Sequence, residues 1–238
     1  RTSGTGSCCR TTSPRPSRWC WACGSVNGCF ISWRSGSGSR GRSLPGRIQR
    51  SSRRLKKRLR LAQSEDVDLW SLDECHFQQL GSRATMWVPP EDKDPLLLLA
   101  PTRKSAALFG AVNVSTGKLV TQFDPKFNAV TFQGFLGRLL RHRRRARKMV
   151  ILLDNAKYHH AVLLHPFLRQ HRHDLVLEFL PAYSPELNPI ERVWKLTRKL
   201  CTHNTYFEKL EALIAAVANQ HMAWNAPNET LRKLCCII

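Results

Sequence analysis

From Val67 onward, apolar and polar positions fall into blocks whose period switches between two residues and about 3.6, so strands and helices follow one another. Val67–Asp73 is apolar and strand-like. Ser105–Ser115 and Lys118–Phe123 flank Ser115-Thr116-Gly117, a composition that predicts a hairpin. Phe127–Arg141 carries Val130, Phe132, Phe135, Leu136, Leu139 and Leu140 at helical spacing. Met149–Leu153 is a short unbroken apolar run, as expected of a strand buried in the middle of a sheet. His160–Gln170 and Ile190–Leu200 predict helices, Leu175–Leu180 a further strand, and Phe207–Trp224 a closing helix.

The pattern stops upstream of that block. Residues 1–50 are dominated by Ser, Gly, Arg, Pro, Cys and Trp, with no period long enough to build an element, and read as a disordered, basic, low-complexity segment. Such a composition also arises when a GC-rich gene is translated out of frame, and that origin stands beside a genuine basic arm that wraps DNA. Residues 51–64 read as a basic helix and linker, with Leu55, Leu59 and Ala62 on one stripe. The remainder, 65–238, reads as a single α/β domain.

Charge sharpens this division. The 238 residues carry a formal charge of +21, of which the first 64 supply 15 Lys and Arg and no acid. So basic a chain favours polyanions, through counterion release and long-range attraction. A membrane surface fits less well. The longest apolar runs, Leu96–Ala100 and Met149–Leu153, are far below the roughly 18 residues of a spanning helix, and no apolar signal segment follows the basic start. A cytoplasmic, nucleoid-associated location is the default expectation. Cys20, Cys23 and Cys29 lack the second ligand pair a zinc site needs, and Cys75, Cys201, Cys235 and Cys236 lack ligand spacing.

Against this basic background three acids stand out. Asp73 lies in VDLWSLDECHF at the end of the first strand, and because successive side chains face opposite sides, Asp73 is chosen over Glu74 for a shared site. Asp154 follows the buried run Met149–Leu153, where an unpaired charge is costly and a cation would remove the cost. The bland alternatives are a polar strand end for Asp73 and a helix cap for Asp154 or Asn155. Asn188-Pro189-Ile190-Glu191 has the form of a capping box, with Asn at the cap and Glu at the third helical position. The same placement would hold a catalytic carboxylate rigidly on a first turn. Lys195, Arg198 and Lys199 continue that helix and could track a phosphate backbone, as could Arg138, Arg141, Arg143, Arg144, Arg145, Arg147 and Lys148; for a single Arg, solvation is the commoner role.

Taken together, SLDECHF, LLDNAKYHH and LPAYSPELNPIERVWK resemble the DDE transposases of the mariner-like superfamily, most closely the bacterial insertion-sequence branch called the IS-six-thirty family. The likeness covers about Val67 to the C-terminus. The predicted element order is also that of a ribonuclease H-like fold, a mixed sheet flanked by helices whose first and fourth strands are neighbours. The resemblance implies a catalytic and metal-holding triad of Asp73, Asp154 and Glu191, with Asn155 and His159 as supporting or capping residues. Mg²⁺, or Mn²⁺ in its place, suits the hard oxygen ligands. The implied activity is metal-dependent cleavage and transfer of DNA strands, on transposon ends and target duplex, by an enzyme that works as a homodimer.

Such transposases carry helix-turn-helix units ahead of the catalytic domain, and residues 1–50 show no such pair. The competing expectation is therefore an inactive or truncated remnant that only binds DNA.

Overall fold

In the computed structural model, residues 67–85, 96, 98, 100, 102–144, 146–181 and 187–236 are described. All of them except Leu96 belong to one unit. The expected N-terminal segment and the basic helix at 51–64 lie outside the described residues.

The strands are β1 (Val67–Gln78), β2 (Ser105–Asn113), β3 (Leu119–Phe123), β4 (Lys148–Leu153) and β5 (Leu175–Phe179). The helices are α1 (Ala129–Leu140), α2 (Leu164–Gln170), α3 (Ile190–Thr197), α4 (Leu210–Ala223) and α5 (Glu229–Cys235). The strands form one sheet in the order β3-β2-β1-β4-β5, antiparallel on the β1–β2–β3 side and parallel from β1 through β4 to β5. First and fourth strands are neighbours, as the element order implied.

β1 runs further than the sequence predicts. The apolar run ends at Asp73, but pairing with β2 continues to Gln78, opposite Ser105. Pairing with β4 stops at Ser71 and Leu152. Asp73 and Glu74 therefore lie just past the last β1–β4 pair and are paired on the β2 side alone.

Each sheet face has its own core, because side chains alternate along β1. Trp70 and Leu72 pack with Phe132, Phe135, Leu136 and Leu139 of α1 and with Met149, Ile151 and Leu153 of β4. Each of those four α1 side chains is fully buried, worth roughly 1.5–3 kcal/mol apiece by transfer. Asn128 and Thr131 form a capping box that fixes where this helix starts. On the opposite face Cys75 and Phe77 pack with Val193 and Trp194 of α3, Leu213 and Val217 of α4 and Leu231 of α5.

Three local details differ from the expected helices. The segment read as His160–Gln170 divides into a 3-10 turn at Lys157–His160 and α2. The segment read as Ile190–Leu200 leaves α geometry at Arg198 and finishes as a π-turn, Arg198–Thr202. α5 has no counterpart in the sequence reading: it buries only Leu231 and Cys235, too short a stripe to register as a period.

Candidate active site

β1 presents two acids in succession, and the structure uses both, on opposite faces. Asp73 faces the α3 layer, where its Oδ2 accepts a hydrogen bond from Trp194 Nε1 at 3.1 Å. Glu74 faces the α1 layer, where its Oε1 lies 3.0 Å from His159 Nε2. His159 is buried against the Phe132 ring at 4.3 Å.

Asp154 is the first residue after β4. Its Oδ1 accepts from the Ala156 backbone N–H at 3.1 Å and lies 3.2 Å from His159 Nδ1. The last β1–β4 pair is Ser71 with Leu152, two residues before Asp73 on one strand and before Asp154 on the other. Asn155 does not cap a helix; its side-chain amide donates to the Leu180 carbonyl beyond β5.

Glu191 lies on the first turn of α3, but the expected capping box is absent. The cap position falls on Pro189, with no side-chain bond to the helix. Asn188 is instead drawn onto β1, donating to the Leu72 carbonyl at 3.2 Å and accepting from the Ser71 hydroxyl. Ser71 Oγ in turn accepts from the Ile190 N–H at 3.2 Å, so a strand residue supplies the cap. A tertiary contact has displaced the local one, and it fixes the helix of Glu191 to the strand of Asp73.

Electrostatics bind these acids into one neighbourhood. Burial, then the charges of Glu74 and Glu191, push the Asp73 carboxyl from 3.8 up to about 7, against the opposing bond from Trp194. Burial, followed by Glu74, Asp154 and Asp73, raises Tyr158 above the ordinary phenol range. Cys75 is pushed up to about 12, first by burial and with further contributions from Asp73 and Glu191, so it remains a thiol. Asp73 therefore feels the charges of Glu74 and Glu191, and Asp154 and Asp73 both act on Tyr158.

Glu74, Asp154 and His159 each offer a donor atom, all within 4.8 Å of one another. His159 faces Glu74 through Nε2, while its Nδ1 lies 3.2 Å from both the backbone carbonyl oxygen and Oδ1 of Asp154. Asp73, Asp154 and Glu191 do not form so close a group: the charge of Glu191 reaches Asp73, while Asp154 lies with Glu74 around His159. Sequence reasoning undervalued Glu74 and left Tyr158 aside. The Asp-Glu pair was visible, but only the fold shows that both faces of β1 are occupied near Asp154.

Several of the basic residues serve the structure. Arg198 turns inward, donating to Cys75 Sγ at 2.9 Å and lying 5.7 Å from the Phe77 ring centroid, so it does not track a backbone. Arg143 pairs with Asp174, and Arg144 lies 3.9 Å from buried Asp68. Lys195 and Lys199 remain exposed.

A family model described as the DDE superfamily endonuclease matches residues 68–214. The chain belongs to the DDE superfamily of endonucleases. An uncharacterised Sinorhizobium fredii protein, y4pE/y4sA, is 31% identical over 120 residues, which is 50% of this chain and 83% of that protein. The insertion element IS630 uncharacterised 39 kDa protein of Shigella sonnei is 27% identical over 110 residues, 46% of this chain and 32% of that protein. Among solved structures, the Mos1 transposase in its paired-end complex with the left transposon end superposes with a TM-score of 0.59 at 22% identity, covering 82% of this chain and 60% of that one. The isolated catalytic domain of Mos1 mariner transposase gives 0.54 at 19%, over 79% and 85% of the two chains. This DDE chain thus spans about a third of the IS630 protein and 60% of the Mos1 chain, and its described part has the ribonuclease H-like fold of a transposase catalytic domain. Among the described residues no helix is long and apolar enough to cross a membrane.

Proposed function

We propose that this chain carries the catalytic domain of a cut-and-paste DNA transposase, with Asp73, Asp154 and Glu191 holding Mg²⁺, or Mn²⁺ in its place. What supports the reading is the match of residues 68–214 to the DDE superfamily endonuclease family, with the charge of Glu191 acting on Asp73 and Asp154 lying beside His159 next to Glu74, in a chain of strong positive charge. When bound, the cations would activate a water toward the phosphodiester and stabilise the departing oxygen.

The protein's own groups set the geometry. Trp194 and the β2 pairing fix Asp73, and His159 and the Ala156 amide turn the Asp154 carboxylate. The Ser71–Asn188 bond pins the turn that bears Glu191. In the reaction, water oxygen bonds to phosphorus while a P–O bond breaks, leaving a DNA end with a 3′-hydroxyl. That hydroxyl oxygen then bonds to a target phosphorus in the same site while the target's P–O3′ bond breaks and a target 3′-hydroxyl departs, so no covalent protein–DNA intermediate is needed. The duplex partners would be transposon ends and target DNA, and the working unit a homodimer. Exposed basic residues supply sequence-independent affinity for the backbone.

Supercoiled plasmid incubated with the chain and Mg²⁺ tests the proposal: nicking is expected from the native protein and not from Asp154→Ala. DNA binding without nicking by the native chain would identify a remnant that only grips DNA.

A further inference from the structure

Trp194 sits three residues after Glu191 on α3, and it is 1% exposed. Its indole N–H does not stop at a nearby carbonyl but reaches the Asp73 carboxylate on β1. The contact depends on a notch in the sheet. Gly110 of β2 is the cross-strand partner of Asp73, and the tip of the indole fills the space above it. A Cβ at position 110 would lie 2.2 Å from Trp194 Cη2 and 2.8 Å from Cζ2, distances that side chains do not tolerate. Glycine is needed there for room. Residues on three elements thus serve one hydrogen bond.

A buried tryptophan needs an acceptor, and any carbonyl would satisfy it. A carboxylate acceptor does more, because a charge-assisted bond fixes the rotation of the acid as well as its position. We infer that Trp194 is a positioning residue, which orients the Asp73 carboxylate for a divalent cation and ties it to the helix of Glu191, with Gly110 as the notch that admits the ring. This rests on the reading of Asp73 as a cation ligand.

The test uses the full chain with W194F, which keeps an aromatic ring and loses the N–H, G110A, which displaces the ring, and D73N. Mn²⁺ binding to the DNA-free protein is measured by electron paramagnetic resonance, alongside melting temperature and plasmid nicking across a Mg²⁺ series. W194F and G110A are expected to weaken Mn²⁺ binding roughly tenfold and to raise the Mg²⁺ concentration for half-maximal nicking by a similar factor. If W194F fails to fold, benzothienylalanine at position 194 keeps the ring shape without the N–H and takes its place.

A lower melting temperature with unchanged Mn²⁺ affinity and Mg²⁺ midpoint would overturn the inference, leaving Trp194 a packing residue. D73N separates the two levels. If D73N binds Mn²⁺ as well as the native chain, the ligand reading fails and the inference with it; if D73N binds poorly while W194F and G110A bind normally, only the positioning role fails.

Discussion

Asp73→Asn is expected to make the metal-free protein more stable and to abolish nicking. In the unfolded chain this carboxyl ionises near 3.8, and in the fold at about 7. Between those values the folded state binds the extra proton, so stability falls as pH rises and the full penalty is present above about 7. A difference of about three pKa units corresponds to about 4 kcal/mol. At pH 5 only the first part has developed, about 2 kcal/mol. Asn removes the charge and still offers Trp194 an acceptor. The variant should therefore melt on the order of 10 °C higher than the native chain at pH 8, and by less than half of that at pH 5. Thermal melts with chelator at both pH values measure this. Added Mg²⁺ should then raise the native chain toward the variant and leave the variant nearly unmoved. A variant less stable than the native chain at pH 8, or a gain equal at both pH values, would refute the account of Asp73 as a buried acid strained by its neighbours.

His221 has the opposite pH dependence: burial lowers it from 6.5 to about 4, so its stabilising effect is complete above 6.5 and is lost as pH falls toward 4, about 3 kcal/mol in all. His221→Phe should flatten the drop in urea midpoint between pH 7 and pH 4.5. Gly117 has φ of +69°, and a Cβ there would lie 2.0 Å from the Asn228 carbonyl oxygen, so Gly117→Ala should cost at least about 2 kcal/mol, read as a lower melting temperature. Ser71→Ala leaves the Ile190 N–H and the Asn188 side chain short of a partner, at about 1–3 kcal/mol for each buried group, measured by chemical denaturation.

The parts of the fold legible in the sequence were those with a strong period of their own. α1, with its six apolar positions, and the unbroken β4 run were both read within a residue or two. Where long-range pairing decides the outcome, local pattern was insufficient. β1 continues past Asp73 to Gln78 because β2 pairs alongside; Cys75 and Phe77 keep the two-residue alternation there, but the unbroken apolar run has already ended. Asn188-Pro189-Ile190-Glu191 has every residue of a capping box, yet Asn188 gains more from Ser71 and Leu72, groups more than a hundred positions away in sequence. The candidate acids Asp73, Asp154 and Glu191 were picked out by their setting in the sequence and by motif resemblance. Their neighbours Glu74, Tyr158 and Trp194 emerge only when the two faces of β1 are populated.

Alternation along β1 consigns its two successive acids to different hydrophobic layers, Asp73 to that of α3–α5 and Glu74 to that of α1. Damage inside either layer should thus reach one carboxylate first, so defects in orienting Asp73 and in bridging Asp154 are separable by where a cavity is made. Each half of the interior can drift in composition while the other keeps its own acid in place.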